Sequence, residues 1–532
     1  MRPSLLVLFA PRFLQWPLAA LQNLRQELPD LRVQGLVTGG ANTVRGVQES
    51  GVVEEFIDLV AREHDWLADD GAESNILRWE QKLHPGALSR ILLGDRHLSR
   101  WTVQAVFPST PLSRAAKDPR LVNRYLVGLL KAVDDLVERQ GVNATFAYAV
   151  AGAPAMAMAE LAKMRELPFL ILTNARFDGL QLVERGNERP EGFQTVAHYF
   201  RAALTDKRVV ECGFKRAQSY LENFRATPCE PDYQTDQKSQ LAVDLRLRAI
   251  IDASRRLGRE LRSSKGGATP RNLRKPSPWQ AWLFRAKRPL RSRLSEYYLE
   301  CPELRALRGR FAYYPLHFDP EASTSVLAPM FSNQEHVIEA LVKALPPDMT
   351  LLVKEHPAMQ GLRPIQFYRY LRMLPRVRLV SAAVSSFDLI RRCELTCSVT
   401  GTAAWEAMLL RKPALVLGSF PFSTVSKGLI TCRDFSRLPE AIGEALRLEP
   451  ADDHMLLTFL AAAYTCAFKF PSNIYWIKVT PQMIAENAHV CESMASQLHQ
   501  HLREAGIAQS EVAPDYTPDS VKRHGKDSDQ AG

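Results

Sequence analysis

The feature that most limits what this chain can fold into is an alternation, met twice, of strand-length apolar runs with helix-length segments. In the first two hundred residues, Ser4 to Phe9, Arg32 to Val37, Phe56 to Val60, Thr145 to Val150 and Pro168 to Leu172 read as strands. The amphipathic stretch Leu121 to Glu138 reads as a helix, and so does Ala151 to Ala162, where Pro154 suits a first helical turn. From Arg310 the pattern returns. Phe311 to Pro315, Thr350 to Lys354, Arg378 to Val380, Leu395 to Val399 and Ala414 to Leu417 are the expected strands, with helices over Asn333 to Leu345, Pro364 to Leu374 and Thr402 to Leu410. Strands separated by helices pair in parallel under helical layers, which predicts α/β architecture with doubly wound, Rossmann-like sheets. A chain of 532 residues also exceeds what one core supports, so two or more domains are expected.

Residues 200 to 309 interrupt the rhythm, being helical and then polar and basic, with Pro270, Pro276 and Pro278 as breaks. The expected division is therefore 1–199, a first Rossmann-like domain; 200–309, a helical and basic insertion; 310–450, a second Rossmann-like domain; 451–507, C-terminal helices; and 508–532, a disordered tail. Net charge is +10, yet Arg255 to Arg293 alone holds thirteen Lys or Arg against Glu260. The rest is nearly neutral, which argues against a nucleic-acid partner. The run Trp279 to Arg288 mixes aromatics with cations, as a peripheral membrane contact or a solvated linker would. The apolar run Leu5 to Ala10 is too short for a leader, and no run reaches the length of a spanning helix. A cytoplasmic chain is expected, with contact to the inner membrane as an option. Eight cysteines without a C-x-x-C pair fit reduced, mostly buried thiols.

Ligands of open α/β sheets sit beyond the carboxyl ends of the strands, so the residues just past each strand are informative. Thr400-Gly401-Thr402-Ala403 places a tight turn before a helix start, where free N–H groups favour an anion. Glu406, one turn on, can accept from ribose hydroxyls; the plain alternative is a capped turn with Glu406 in solvent. Lys354 and His356, stiffened by Pro357, can donate to phosphate oxygens. His317, Asp319 and Glu321 can shape the donor site or move a proton, or merely cap a turn.

These stretches, Tyr314-Pro315-Leu316-His317 with Pro320-Glu321-Ala322-Ser323, Val353 to Pro357, and Thr400 to Ala407, resemble the bacterial capsule polysaccharide biosynthesis family. The resemblance is strong over about a fifth of the chain. It implies the GT-B arrangement of two facing Rossmann-like domains and a metal-independent glycosyltransferase of surface polysaccharide synthesis. It further implies no cofactor, a nucleotide-sugar donor (Kdo or another CMP-linked acid among the candidates) in the C-terminal domain, and His356-Pro357 at the nucleotide phosphate. The acceptor would be a glycan or glycolipid held by the N-terminal domain.

No N-terminal residue matches a particular catalytic acid of the family. Asp178, in Asn174 to Gly179, and Glu184 are the candidates for taking the acceptor proton, against an Asx-turn reading of Asp178. Three alternatives stay open: a CDP-polyol phosphotransferase of teichoic-acid type, a catalytically silent scaffold, and a sugar-nucleotide epimerase of the same fold.

Overall fold

The computed structural model describes residues 2–99, 107–186, 193–229, 251, 254–255, 257–258, 272–300, 309–425, 427–470 and 479–508. Thirteen strands are present among them: β1 Ser4–Phe9, β2 Arg32–Val37, β3 Glu55–Asp58, β4 Ala144–Ala147, β5 Phe169–Asn174, β6 Leu180–Arg185, β7 Arg310–Pro315, β8 Met349–Lys354, β9 Val377–Val380, β10 Leu395–Ser398, β11 Ala414–Val416, β12 Leu429–Thr431 and β13 Phe468–Lys469. They form two sheets, ordered β13-β6-β5-β4-β1-β2-β3 and β12-β11-β10-β7-β8-β9. Reading each outward from its first strand gives the doubly wound order 3-2-1-4-5, with the reversal between β1 and β4 in one sheet and between β7 and β10 in the other. The fold is two Rossmann-like domains of GT-B type. The strand cores read as continuous Val, Leu and Phe because helices cover both faces; Leu5, Leu6, Val7, Phe9, Leu351 and Val353 have no exposed surface.

Three strands escape the sequence pattern: β12, a three-residue strand parallel to β11, and two that break the parallel rule. β6 runs antiparallel to β5, and β13 antiparallel to β6. β3 is shorter than expected, since Asp58 accepts from the N–H groups of Val60 and Ala61 and so starts a helix there.

Packing crosses between distant parts of the chain. The helix Asp453–Cys466 lies against Gln194–Thr205 and Glu211–Ala226, burying Leu456, Phe459 and Leu460 on Val196, Phe200, Leu221 and Phe224. The last helix, Ala488–Glu504, covers Gln15–Glu27 of the first domain. Gln497 accepts from Val183 N–H at 2.7 Å, and His501 bonds Val183 O at 2.8 Å. The chain's C-terminal helices therefore complete the N-terminal domain.

The insertion is anchored in both domains. Leu112 N–H donates to Leu273 O, and Arg274 reaches Glu63 at 2.7 Å, Asp95 at 2.8 Å and the Tyr125 hydroxyl at 2.6 Å. Next comes the helix Pro278–Glu296, opened by a capping box between Ser277 and Gln280 and lying against the second domain. No helix among the described residues is long and apolar enough to cross a membrane. The thiols Cys393, Cys397, Cys432 and Cys491 are buried, while Cys212 and Cys229 are exposed; Cys301 and the tail from 509 lie outside the described residues.

Candidate functional site

β7 is central in its sheet, with β10 on one side and β8 on the other, so the loops after these three strands meet at the topological switch point. The β10 loop is shaped by what lies beneath it. Gly401 has an ordinary extended backbone (φ −78, ψ 159), so glycine is required there by space. A Cβ would lie 2.8 Å from Ser398 Oγ and 3.0 Å from His317 Cε1. Gly401 N–H donates to Ser398 Oγ at 2.9 Å, and Val399 N–H donates to His317 Nε2 at 3.2 Å. The imidazole is thereby held neutral. Burial, with Arg363 and Arg176 nearby, pushes its pKa down to about 3. Its acceptor nitrogen is spent on the turn, so His317 positions the loop.

Thr400 is likewise engaged. Its hydroxyl donates to Ser323 O at 2.6 Å and its carbonyl accepts from Arg176 at 2.8 Å. Thr402 begins the helix Thr402–Leu409, every residue of which is buried; Trp405 stacks on Phe422 at 4.2 Å, and Glu406 is 6% exposed.

The β8 loop is tied to the β7 loop by a buried ionic network. Arg363 lies 3.3 Å from Glu355 and 3.5 Å from Asp319, and donates to His317 O at 2.5 Å. Tyr368 donates to Glu355 at 2.5 Å, and Gln334 accepts from His317 N–H at 2.7 Å while bonding Asp319. Two carboxylates share one guanidinium, and burial raises the Asp319 pKa against the pull of Arg363. Sequence reasoning passed over Glu355, Arg363 and Gln334; charged residues beside a motif carry no signal that they are its internal brace. Lys354 donates to Ser386 Oγ at 2.7 Å and is buried. His356 Nδ1 accepts from Ala358 N–H at 3.2 Å, capping the turn Pro357–Met359. A neutral ring so bound carries its proton on Nε2, making that nitrogen a donor. The insertion helix supports this turn, for Arg288 donates to Ala358 O and Gln360 O, each at 3.1 Å.

The N-terminal domain faces these loops through Asn174 to Gly179. Asn174 Oδ1 accepts from Arg176 N–H at 2.5 Å, and Arg176 and Asp178 take left-handed φ values of 64 and 47. That bend sends Arg176 to Thr400 and buries Phe177 against Trp405 and Tyr464. The segment is a docking loop between the domains, and Asp178 is engaged within it. Its oxygens accept from the Tyr464 hydroxyl at 3.0 Å and Lys469 at 3.4 Å. Glu184 is engaged inside the N-terminal domain. It has no exposed surface, accepts from Thr195 N–H at 3.0 Å at the start of a helix, and is pushed up to about 7 by burial.

Glu321 is the carboxylate left open at this junction. It is exposed, held by Ser323 Oγ at 2.9 Å, and raised in pKa by desolvation against the pull of Ser323 and of Arg176 and Arg96 from the other domain. Among the described residues, no group of three or more His, Cys, Asp or Glu could hold a metal ion.

Fold and loops together define a two-domain α/β protein whose ligand-competent loops cluster on the C-terminal sheet and face the N-terminal domain. Residues 325–433 match the family model described as "Capsule polysaccharide biosynthesis protein", a segment that holds the Val353 to Pro357 and Thr400 to Ala407 stretches of the resemblance. The chain is similar to Thermosulfurimonas dismutans KpsC, beta Kdo 2,7 transferase, at 13% identity over 59% of this chain and 80% of that one, TM-score 0.31. It is similar to S. aureus MnaA in a co-structure with UDP, at 10% identity over 96% and 99%, TM-score 0.26, and to the spinosyn rhamnosyltransferase SpnG, at 12% over 92% and 100%, TM-score 0.23. No curated protein matches the chain. The fold assignment rests on the strand orders themselves.

Proposed function

We propose that this chain is a glycosyltransferase of surface or capsular polysaccharide synthesis, using a nucleotide-activated sugar donor without a catalytic metal. The observation that carries the reading is the braced cluster of loops after β7, β8 and β10, the last two of them inside the family segment, opposite Arg96 and Arg176. The start of the helix Thr402–Leu409 and the Nε2 donor of His356 suit the donor's phosphate oxygens, with Pro357 and Lys354 fixing the loop. Thr400 and Gly401 shape the turn and Glu406 supports it from within. In an inverting transfer the acceptor oxygen bonds to the anomeric carbon as the nucleotide leaves with the bonding electrons. Glu321, exposed and raised in proton affinity, takes the acceptor hydroxyl's proton. The acceptor, a glycan or glycolipid, would approach from the N-terminal domain.

A second reading, a nucleotide-binding partner without catalysis, draws on the engagement of Asp178 and Glu184 away from substrate. Calorimetric titration of CMP, CDP, UDP, GDP and dTDP into wild type and His356→Ala tests the donor site; one nucleotide should bind selectively and weaken about tenfold in the variant. CDP selectivity would move the chemistry to polyol-phosphate transfer. Glu321→Gln that binds nucleotide normally but no longer transfers sugar supports catalysis. If no nucleotide binds the folded protein, the reading is wrong.

A further inference from the structure

The helix Pro278–Glu296 has two faces with different tasks. Inward, Ser292 and Ser295 are buried, Arg288 holds the carbonyls of the His356 turn, and a Cβ on Gly361 would come within 2.4 Å of Arg288 O. Phe284 closes a ring cluster with Phe107, which in turn meets Phe318. Outward, Trp279 is 59% exposed, Leu283 44%, Leu290 61%, Leu294 50% and Tyr297 80%. On an ideal helix those five positions fall within a sector of roughly 60°. Exposed Lys287 and Arg293 flank the stripe on opposite sides, and Arg285 and Arg291 add charge; from Ser277 to Arg293 there is no acid.

We propose that this outer face docks on an anionic lipid bilayer, with the apolar stripe in the boundary between headgroups and acyl chains and the cations on lipid phosphates. Five large apolar side chains in one line are more than a solvated helix needs. Two independent features select lipid as the occupant. The charge from Ser277 to Arg293 is of one sign, which complements an anionic surface, with Glu296 as the exposed acid at the stripe's far end, and Trp and Tyr stand near the two ends of the stripe, as amphipathic rings do at a membrane interface. Because the inner face holds the Pro357–Met359 turn, docking fixes how the cleft stands over the membrane.

The test is co-sedimentation of the full chain with vesicles of phosphatidylcholine alone and of phosphatidylcholine mixed with phosphatidylglycerol. Wild type should pellet with the anionic vesicles only. Leu290→Glu with Leu294→Glu, and separately Lys287→Glu with Arg293→Glu, should each lower partitioning at least about tenfold. These side chains are exposed, so thermal unfolding should not move. Nucleotide titration of the same variants should match wild type, which keeps this result apart from the donor reading. Absence of wild-type binding, or variants that bind as wild type does, would overturn the proposal. So would a dimer in the ultracentrifuge that the leucine variant dissolves while vesicles go unbound.

Discussion

His317, after β7, accepts the backbone N–H of Val399, after β10, at 3.2 Å, so one neutral imidazole joins the two sides of the switch point. The joint makes stability depend on pH. Its folded pKa of about 3 lies below the ordinary 6.5, so the unfolded chain binds the proton more readily between those values. The contribution is present above 6.5 and is lost as pH falls, at up to about 1.4 kcal/mol per pH unit. His317→Gln should lower the thermal midpoint near neutrality and flatten its decline between about pH 6 and pH 4. Midpoints of the two proteins that fall in parallel would show that the ring does not titrate on unfolding.

Arg363 stands between Asp319 and Glu355 with 4% of its side chain exposed. Arg363→Met leaves two carboxyls buried without their cation, which typically costs about 3–5 kcal/mol. In urea the unfolding midpoint of the C-terminal domain should drop accordingly, with nucleotide binding lost in the same variant. A midpoint unchanged from wild type would mean the network is solvated in solution.

The alternation of strands and helices was legible because most parallel strands here are apolar runs separated by helical crossovers. β6 was not legible. Its Gln181 and Glu184 have no exposed surface, yet read as polar residues of a loop. The three site loops could be found by reading the residues just past each strand, but the division of labour inside them could not. His317 and His356 look alike in sequence; one is spent beneath Gly401 and the other caps a largely buried turn, a difference made by partners 82 residues and two residues away. Arg274 and Arg288 belonged, on composition, to a basic linker. Only folding brings one to Glu63 and Asp95 and the other to the His356 turn.

Glu184 supplies a pH effect of opposite sign. Its folded pKa of about 7 lies above the ordinary 4.5, so its contribution is whole below 4.5 and is lost as pH rises through 7. One oxygen, Oε2, has no hydrogen-bond partner. Glu184→Gln keeps an acceptor for Thr195 N–H and removes the ionisation, so at pH 8 it should stabilise the protein by on the order of 2 kcal/mol. At about pH 4 the two proteins should unfold alike. A variant less stable at pH 8 would mean that the carboxylate is paired when charged.

Arg176 is where the two domains meet the candidate site, and its backbone and side chain can be tested separately. It holds a left-handed φ of 64, which any residue with a Cβ adopts at some expense, and its guanidinium donates to Thr400 O at 2.8 Å. Arg176→Ala removes the bond and keeps the backbone strain; Arg176→Gly removes both. Both variants should bind nucleotide about tenfold more weakly, because the Thr400 turn loses its tether and the anion loses a cation. Their stabilities should differ, with glycine the more stable by about 1 kcal/mol, since it takes positive φ freely. If alanine and glycine lose affinity equally while melting apart in that order, the guanidinium serves the site and the bend serves the fold. If affinity stays at the wild-type value in both, the N-terminal domain takes no part in holding the donor, and the cleft must be assigned to the C-terminal loops alone.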